Sequence, residues 1–200
     1  FCVEPSDCRA GIARAGPAVM PCYGGAMAMS DLLAPITAQG GSFSLPDAED
    51  WMQGRTLYGG ASALIAYTAA IRAFPDLPPL RAGQIAFVAP TSGEVDLRRE
   101  IVRQGRNVTQ VRSEIWCEGQ CTLTAFWLFG AARKPNAVHP AEKLADWPGG
   151  PDENEAVLAD KGPAFIRNNF ELRRAQDQRG PGEPVVQRWA RVTNRQGLDP

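Results

Sequence analysis

From Gly41 onward, apolar and polar positions fall into runs with readable periods. "GSFSLP" sets Phe43 and Leu45 among small polar residues, the alternation of a short strand. The following "DAEDWMQGRTLYGG" has no steady period and reads as a loop leading into a helix. From Ala61 to about Phe74 the chain is apolar nearly all round, with Ala63, Leu64, Ile65, Ala66, Tyr67, Ala69, Ala70 and Ile71. "PDLPP" ends that helix, because proline neither donates to a helix nor continues one.

Four strand-like runs follow. "RAGQIAFVAPTSG" is β-rich from Gln84 to Val88. "EVDLRREIVRQGRN" sets Val95, Leu97, Arg99 and Ile101 on one face. "NVTQVRSEIWCEG" sets Val111, Ser113, Ile115 and Cys117 on one face and Gln110, Arg112, Glu114 and Trp116 on the other. "QCTLTAFWLFGAA" is apolar on both faces, the pattern of a central strand covered from both sides. The links "TSG", "QGRN" and "EG" are short and contain glycine, so sequence neighbours are expected to pair as antiparallel hairpins. One strand, one long helix and four antiparallel strands make an α+β layout in which a sheet wraps a single buried helix.

The flanks differ in texture. Residues 1–39 lack an initiator Met, and their cysteines (Cys2, Cys8, Cys22) sit among Pro, Arg and Gly. They are expected to be disordered, or to be translation upstream of a start at Met27 or Met29. Residues 40–132 hold the main domain. Residues 133–162, with four prolines and no period, read as a linker. In 163–200, "PAFIRNNFELRRA" and "EPVVQRWARVTNR" read as two strands joined by the polar "QDQRGPG". Two strands do not close a stable domain, so strand 184–194 is expected to be left with an unpaired edge.

Composition narrows the chemistry. With 200 residues, 44% of them hydrophobic, the chain can bury a core. A net charge of -1, from 21 basic and 22 acidic residues, argues against nucleic acid as a partner. No apolar run is long enough to span a membrane. Cys117 and Cys121 flank the turn Glu118–Gly119, and with one histidine, His139, no metal set is expected. Cysteines of this kind read as reduced thiols of a cytoplasmic protein.

"GRTLYGGASALIAYTAA" and "FVAPTSGEVDLRREIVRQGRNVTQVRSEIWCEGQCTLTAFWLFG" together resemble the N-terminal half of acyl-CoA thioesterases of the type II, double-hotdog kind. The resemblance rests on Tyr58-Gly59-Gly60 before the helix, Ala89-Pro90 after a strand, Gly105-Arg106-Asn107 in a turn, and Phe126 to Phe129 in the last strand. It covers about residues 40 to 132, and continues more weakly into 163 to 194 as the start of a second hotdog. It implies acyl-CoA as substrate, hydrolysis to free acid and coenzyme A, no separate cofactor, and assembly into homo-oligomers through the sheets. A non-catalytic acyl-CoA-binding hotdog is the other reading, since the first helix carries no acid.

Several residues are candidates for that chemistry. A helix N-terminus presents unpaired N–H groups and a positive dipole end, and paired glycines let a ligand approach the backbone. The N–H of Gly60 or of Ala61 is therefore a candidate donor to the oxyanion formed when water attacks a thioester. The pair equally suits a tight turn against the sheet. Tyr58 and Gly59 complete this group. Arg103 and Arg106 flank a glycine turn and suit the phosphates of coenzyme A, with Asn107 and Thr109 beside them; a solvated hairpin explains the same residues. Ser62 as a nucleophile lacks a base, since His139 lies in the linker. The resemblance implies that the catalytic acid, an Asp on the second hotdog's helix with Thr and Gln from later strands, lies beyond Pro200. Asp199 stands near where that segment starts.

Overall fold

The computed structural model describes residues 27–45, 48–138, 149–157, 162–174 and 187–194. Within them a five-stranded antiparallel sheet curls around one long helix. In chain order the elements are α1 (Met29–Leu33), β1 (Gly41–Ser44), β2 (Met52–Gln53), β3 (Thr56–Leu57), α2 (Gly59–Ala73), β4 (Leu80–Phe87), β5 (Glu94–Gln104), β6 (Val108–Cys117), β7 (Gln120–Gly130), α3 (Ala164–Asn169), β8 (Phe170–Arg174) and β9 (Arg188–Val192). The large sheet runs β1-β5-β6-β7-β4, while β2-β3 and β8-β9 form separate ribbons.

β5, β6 and β7 are successive hairpin neighbours, as their short links predict, but β4 is not part of that meander. It pairs with β7, Ile85 opposite Ala125, and so takes the far edge. The segment 88–93 is therefore a crossover rather than a hairpin turn. It traverses three strand spacings of ~4.8 Å, which six residues at ~3.3 Å each can span. Hydrogen bonds pin it on the way: Val88 and Ala89 N–H donate to the Thr122 carbonyl, Leu57 N–H donates to Thr91 O, and Leu45 N–H donates to Gly93 O.

The inner face of the sheet carries the period-2 residues read from the sequence. Val95, Leu97, Val111, Ile115, Leu123, Ala125, Trp127 and Phe129 are buried there, against Ala61, Ile65, Ala66, Ala69 and Ala70 of α2. Alanines on that helix let the sheet approach closely, and the gap on one flank is filled by Tyr67, which meets Trp127 edge-on at 5.4 Å and stacks on Phe129 at 6.3 Å. The single buried indole N–H of this layer is satisfied: Trp127 Nε1 donates to Ser113 Oγ at 2.7 Å.

On the outer face, Arg112 reaches Glu100 at 3.0 Å and Glu114 at 3.5 Å, and Arg98 lies over the Trp116 ring at 3.9 Å. The outer side of β7 is only partly buried, with Thr124 and Leu128 half-buried, short of the two-sided burial its sequence predicts. Phe126 there is 47% exposed.

Two boundaries differ from the sequence expectation. Residues 27–38 are part of the main core rather than a disordered extension. Met29, Leu32, Leu33 and Ile36 recur at i, i+3, i+4 and i+7 and are all buried. The last turn of α2 holds them in place, Arg72 Nη1 donating to Leu33 O at 2.6 Å and Ile36 O at 2.7 Å. Residues 163–169, expected as strand, are helix α3 after Pro163, and the strand β8 begins only at Phe170. β8 pairs with β9 along one edge, and the predicted linker adds a bridge on the other, Ala156 to Arg173. The strand expected at 184–194 is thus paired on one side over Arg188–Val192.

Candidate active site

The start of α2 is held by a compact loop. A 3-10 turn at Glu49–Trp51 and the β2–β3 ribbon replace the irregular loop that the sequence suggests. Trp51 is the anchor: it is fully buried and its Nε1 donates to Met27 O at 2.8 Å. Tyr58 N–H donates to Trp51 O, and Thr91 N–H donates to Thr56 Oγ1 at 3.0 Å. The loop and the β4–β5 crossover are therefore locked together before the helix begins.

The helix begins at Gly59, two residues earlier than its apolar pattern indicates, so both glycines lie in its first turn. No side chain caps that turn and no acidic residue lies in it. The N–H groups of Gly59, Gly60 and Ala61 are left as donors at the positive end of the dipole. The two glycines do different work. A Cβ on Gly60 would stand 2.5 Å from the Tyr58 ring, so Gly60 is what lets that ring fold over the helix start. Tyr58 is fixed there, stacked on Phe165 at 4.9 Å and edge-on to Phe170 at 5.6 Å. A Cβ on Gly59 would stand 3.3 Å from the Phe87 ring, on the opposite side.

Between Gly59 and the crossover lies a cavity of about 380 Å³. Leu57, Phe87, Val88, Ala89 and Pro90 form its apolar wall, and Gln53, Thr56, Ser62 and Thr91 its polar edge. Gly59 and Ser62 are three apart, hence on one helical face a turn away from each other. Thr56 and Thr91 are already bonded to the protein: Thr56 Oγ1 donates to Leu57 O and Thr91 Oγ1 to Thr122 Oγ1 at 2.9 Å. Among the described residues no carboxylate or imidazole lines it.

The residues proposed from sequence divide into two groups. Tyr58, Gly59, Gly60 and Ala61 come together at the helix start, but only Gly59 lines the cavity. Gly60 is exposed beneath Tyr58, and Ala61 is fully buried. Arg103, Arg106 and Asn107 are exposed at the β5–β6 tip, and Thr109 is buried on the inner face of β6. β6 runs from that tip to the Thr122 end of the sheet, and its ten residues at ~3.3 Å each put the arginines ~30 Å from the cavity in one chain. Ser62, Phe87 and Thr91 were not singled out by sequence as ligand-facing. The i, i+3 relation of Gly59 and Ser62 was the available signal; the crossover's return over the helix was not.

The other candidates settle as follows. His139, Asp199, Cys2, Cys8 and Cys22 lie outside the described residues. Cys117 is buried with its Sγ 3.8 Å from Thr122 Oγ1. Cys121 is half-buried on the outer side, where burial first, and Glu114 second, push its thiol up, which disfavours the nucleophilic thiolate. Among the described residues no cluster of three or more His, Cys, Asp or Glu is arranged to hold a metal, and no helix is long and apolar enough to cross a membrane.

Residues 47–130 match the family model of the acyl-CoA thioesterase N-terminal domain. Among solved structures, a hot dog-fold protein of unknown function from Alicyclobacillus acidocaldarius superposes with TM-score 0.68 at 20% identity, over 82% of this chain and 62% of that one. A proposed thioesterase II from Thermobifida fusca gives TM-score 0.68 at 16% identity, over 84% and 64%. An acyl-CoA thioesterase II from Mycobacterium marinum gives 0.53 at 14%, over 76% and 55%. At these identities the likeness establishes the hotdog fold, and the chain spans less than two thirds of each of these structures. No curated protein matches the chain.

Proposed function

We propose, from the premise that residues 47–130 are a thioesterase-like domain of hotdog fold, that the cavity at the start of α2 receives the thioester end of an acyl-CoA. One observation carries this reading: uncapped first-turn N–H groups open, at Gly59, onto a cavity with an apolar wall. The thioester carbonyl oxygen accepts from the Gly59 N–H, and the first methylenes of the acyl chain lie along Leu57, Phe87 and Pro90. Water adds to the carbonyl carbon, and the oxyanion that forms is held by the helix dipole and that donor. As the oxyanion collapses the C–S bond breaks, the free acid stays, and coenzyme A leaves and takes up a proton. One donor of this kind is worth about 3 kcal/mol of barrier. The base that takes water's proton comes, in this reading, from outside the described residues.

The arginines at the β5–β6 tip enter through a second sheet. β4 is paired on one edge only among the described residues, and most of its length is exposed. An antiparallel β4–β4 pairing between two copies sets the Leu80 end of one strand across from the Phe87 end of the other. The Leu80 end adjoins the hairpin tip, Gly130 N–H donating to Pro79 O and Ala131 N–H to Asn107 O. Arg103 and Arg106 of one copy are then beside the cavity of the next, where they suit the phosphates of coenzyme A.

A non-catalytic acyl-CoA-binding module is the second reading, favoured by a cavity that, among the described residues, is lined by no carboxylate or imidazole. Incubating the chain with acyl-CoAs of increasing length, while following free thiol and melting temperature, separates the two. Thiol release supports the hydrolase. A raised melting temperature without thiol release supports the binding module. No response to any acyl-CoA refutes both.

A further inference from the structure

Ser62 is 2% exposed; no hydrogen bond joins its hydroxyl to another described residue, and its Oγ is not sealed in the core but open to the cavity. A serine hydroxyl in a helix commonly turns back to share the carbonyl four residues earlier. Here Tyr58 O accepts from the Ser62 backbone N–H at 3.0 Å and not from its hydroxyl. The side chain instead lines the cavity at the start of α2. Helical side chains tilt toward the N-terminus, so Ser62 leans over the turn that begins at Gly59. Of the three hydroxyls lining that cavity, Thr56 and Thr91 are bonded into the protein and Ser62 is not.

We propose that Ser62 is a catalytic residue of this cavity, its hydroxyl serving with the Gly59 N–H as the second donor to the carbonyl oxygen of a bound acyl thioester. The inference rests on the thioester-site reading above and adds to it a side chain with a defined task. A backbone N–H and a hydroxyl one helical turn apart converge on one acceptor more tightly as charge develops on it, so the benefit falls mainly on the transition state. Ser62 acts as donor throughout: it forms no covalent bond, and among the described residues no base lines the cavity to activate it.

The test uses the full 200-residue chain and Ser62→Ala. Because Ser62 Oγ serves no described protein atom, its removal orphans nothing, and the melting temperature stays the same or rises. A role in packing predicts a fall. With hexanoyl-CoA, kcat is expected to drop by about 100-fold while KM moves little. If the chain binds without turnover, the readout is affinity for a CoA analogue in which a methylene replaces the thioester sulfur; Ser62→Ala is then expected to bind it several-fold more weakly. Unchanged kcat, or unchanged affinity for the analogue, overturns the assignment of Ser62 while leaving the thioester site in place. A wild-type chain that neither hydrolyses hexanoyl-CoA nor binds the analogue overturns both.

Discussion

The glycine pair offers a test in which two adjacent, chemically identical substitutions have opposite consequences. In Gly60→Ala the new methyl meets the Tyr58 ring at 2.5 Å. That ring is held between Phe165 and Phe170, so it moves only by giving up aromatic contacts worth about 0.5–1.5 kcal/mol each. Overpacking of this sort costs about 1–3 kcal/mol, against which alanine returns up to about 1 kcal/mol of helix propensity. The net expectation is a loss of roughly 1 kcal/mol, or a melting temperature about 3 °C lower. In Gly59→Ala the methyl meets the Phe87 ring at 3.3 Å. Phe87 is 61% exposed at the end of an edge strand and can swing aside, so stability is held or improved. That same methyl projects into the cavity, and acyl-CoA binding is lost. Thermal unfolding with and without acyl-CoA reads both effects. Equal stability for the two variants, or a Gly59→Ala chain that binds acyl-CoA like wild type, would refute the division of labour between the glycines.

Other consequences follow from contacts away from the cavity. Asn169 is buried, and its Nδ2 donates to Asp50 O at 2.6 Å and Phe165 O at 3.0 Å; Asn169→Ala is expected to cost ~2 kcal/mol. Hydrogen exchange should then quicken at 163–174 before it does in β5–β7, and uniform quickening would argue against separate docking of that segment. Arg72→Ala removes both hydrogen bonds to Leu33 O and Ile36 O and should expose residues 27–38 to limited proteolysis while the sheet stays folded. Burial alone would raise the Glu171 carboxyl, but hydrogen bonds and charge from Arg191 and Arg173 outweigh it and hold it below its ordinary value. Its contribution to the β8–β9 ribbon is thus full above the unfolded carboxylate value of ~4.3 and is lost as pH falls through the lower folded value. Acid titration followed by tryptophan fluorescence should show wild type above Glu171→Gln at neutral pH, the two converging well below pH ~4; a constant gap would contradict this.

Much of the fold was legible because it rests on local periods. Val95-Leu97 and Val111-Ser113-Ile115 announce which face meets the helix, and "PDLPP" announces where the helix stops. The order of strands was not legible, because a short glycine-containing link looks the same in a hairpin and in a crossover. Only the partner of β4, a long-range pairing, tells them apart. α1 was hidden among prolines and glycines although Met29, Leu32 and Leu33, with Ile36 just beyond it, keep helical spacing. Helix α3 was read as strand because "AFI" favours β locally, while its docking through Asn168 and Asn169 onto Asp50 is a tertiary matter. At the candidate site the sequence pointed to the turn before α2 and named Gly60 as the donor, whereas Gly59 is the glycine that lines the cavity. Which glycine opens onto a cavity depends on where Tyr58 and Phe87 pack, and neither position follows from spacing.

The central claim is that the first turn of α2 faces a bound acyl thioester. Amide shift mapping of the ¹⁵N-labelled chain with the methylene-for-sulfur acyl-CoA analogue tests it whether or not the chain hydrolyses thioesters. The account predicts perturbations clustered at Gln53 to Ser62 and at Phe87 to Thr91. Perturbations centred on the outer sheet face at Arg98 to Trp116, or none at saturating analogue, would contradict it.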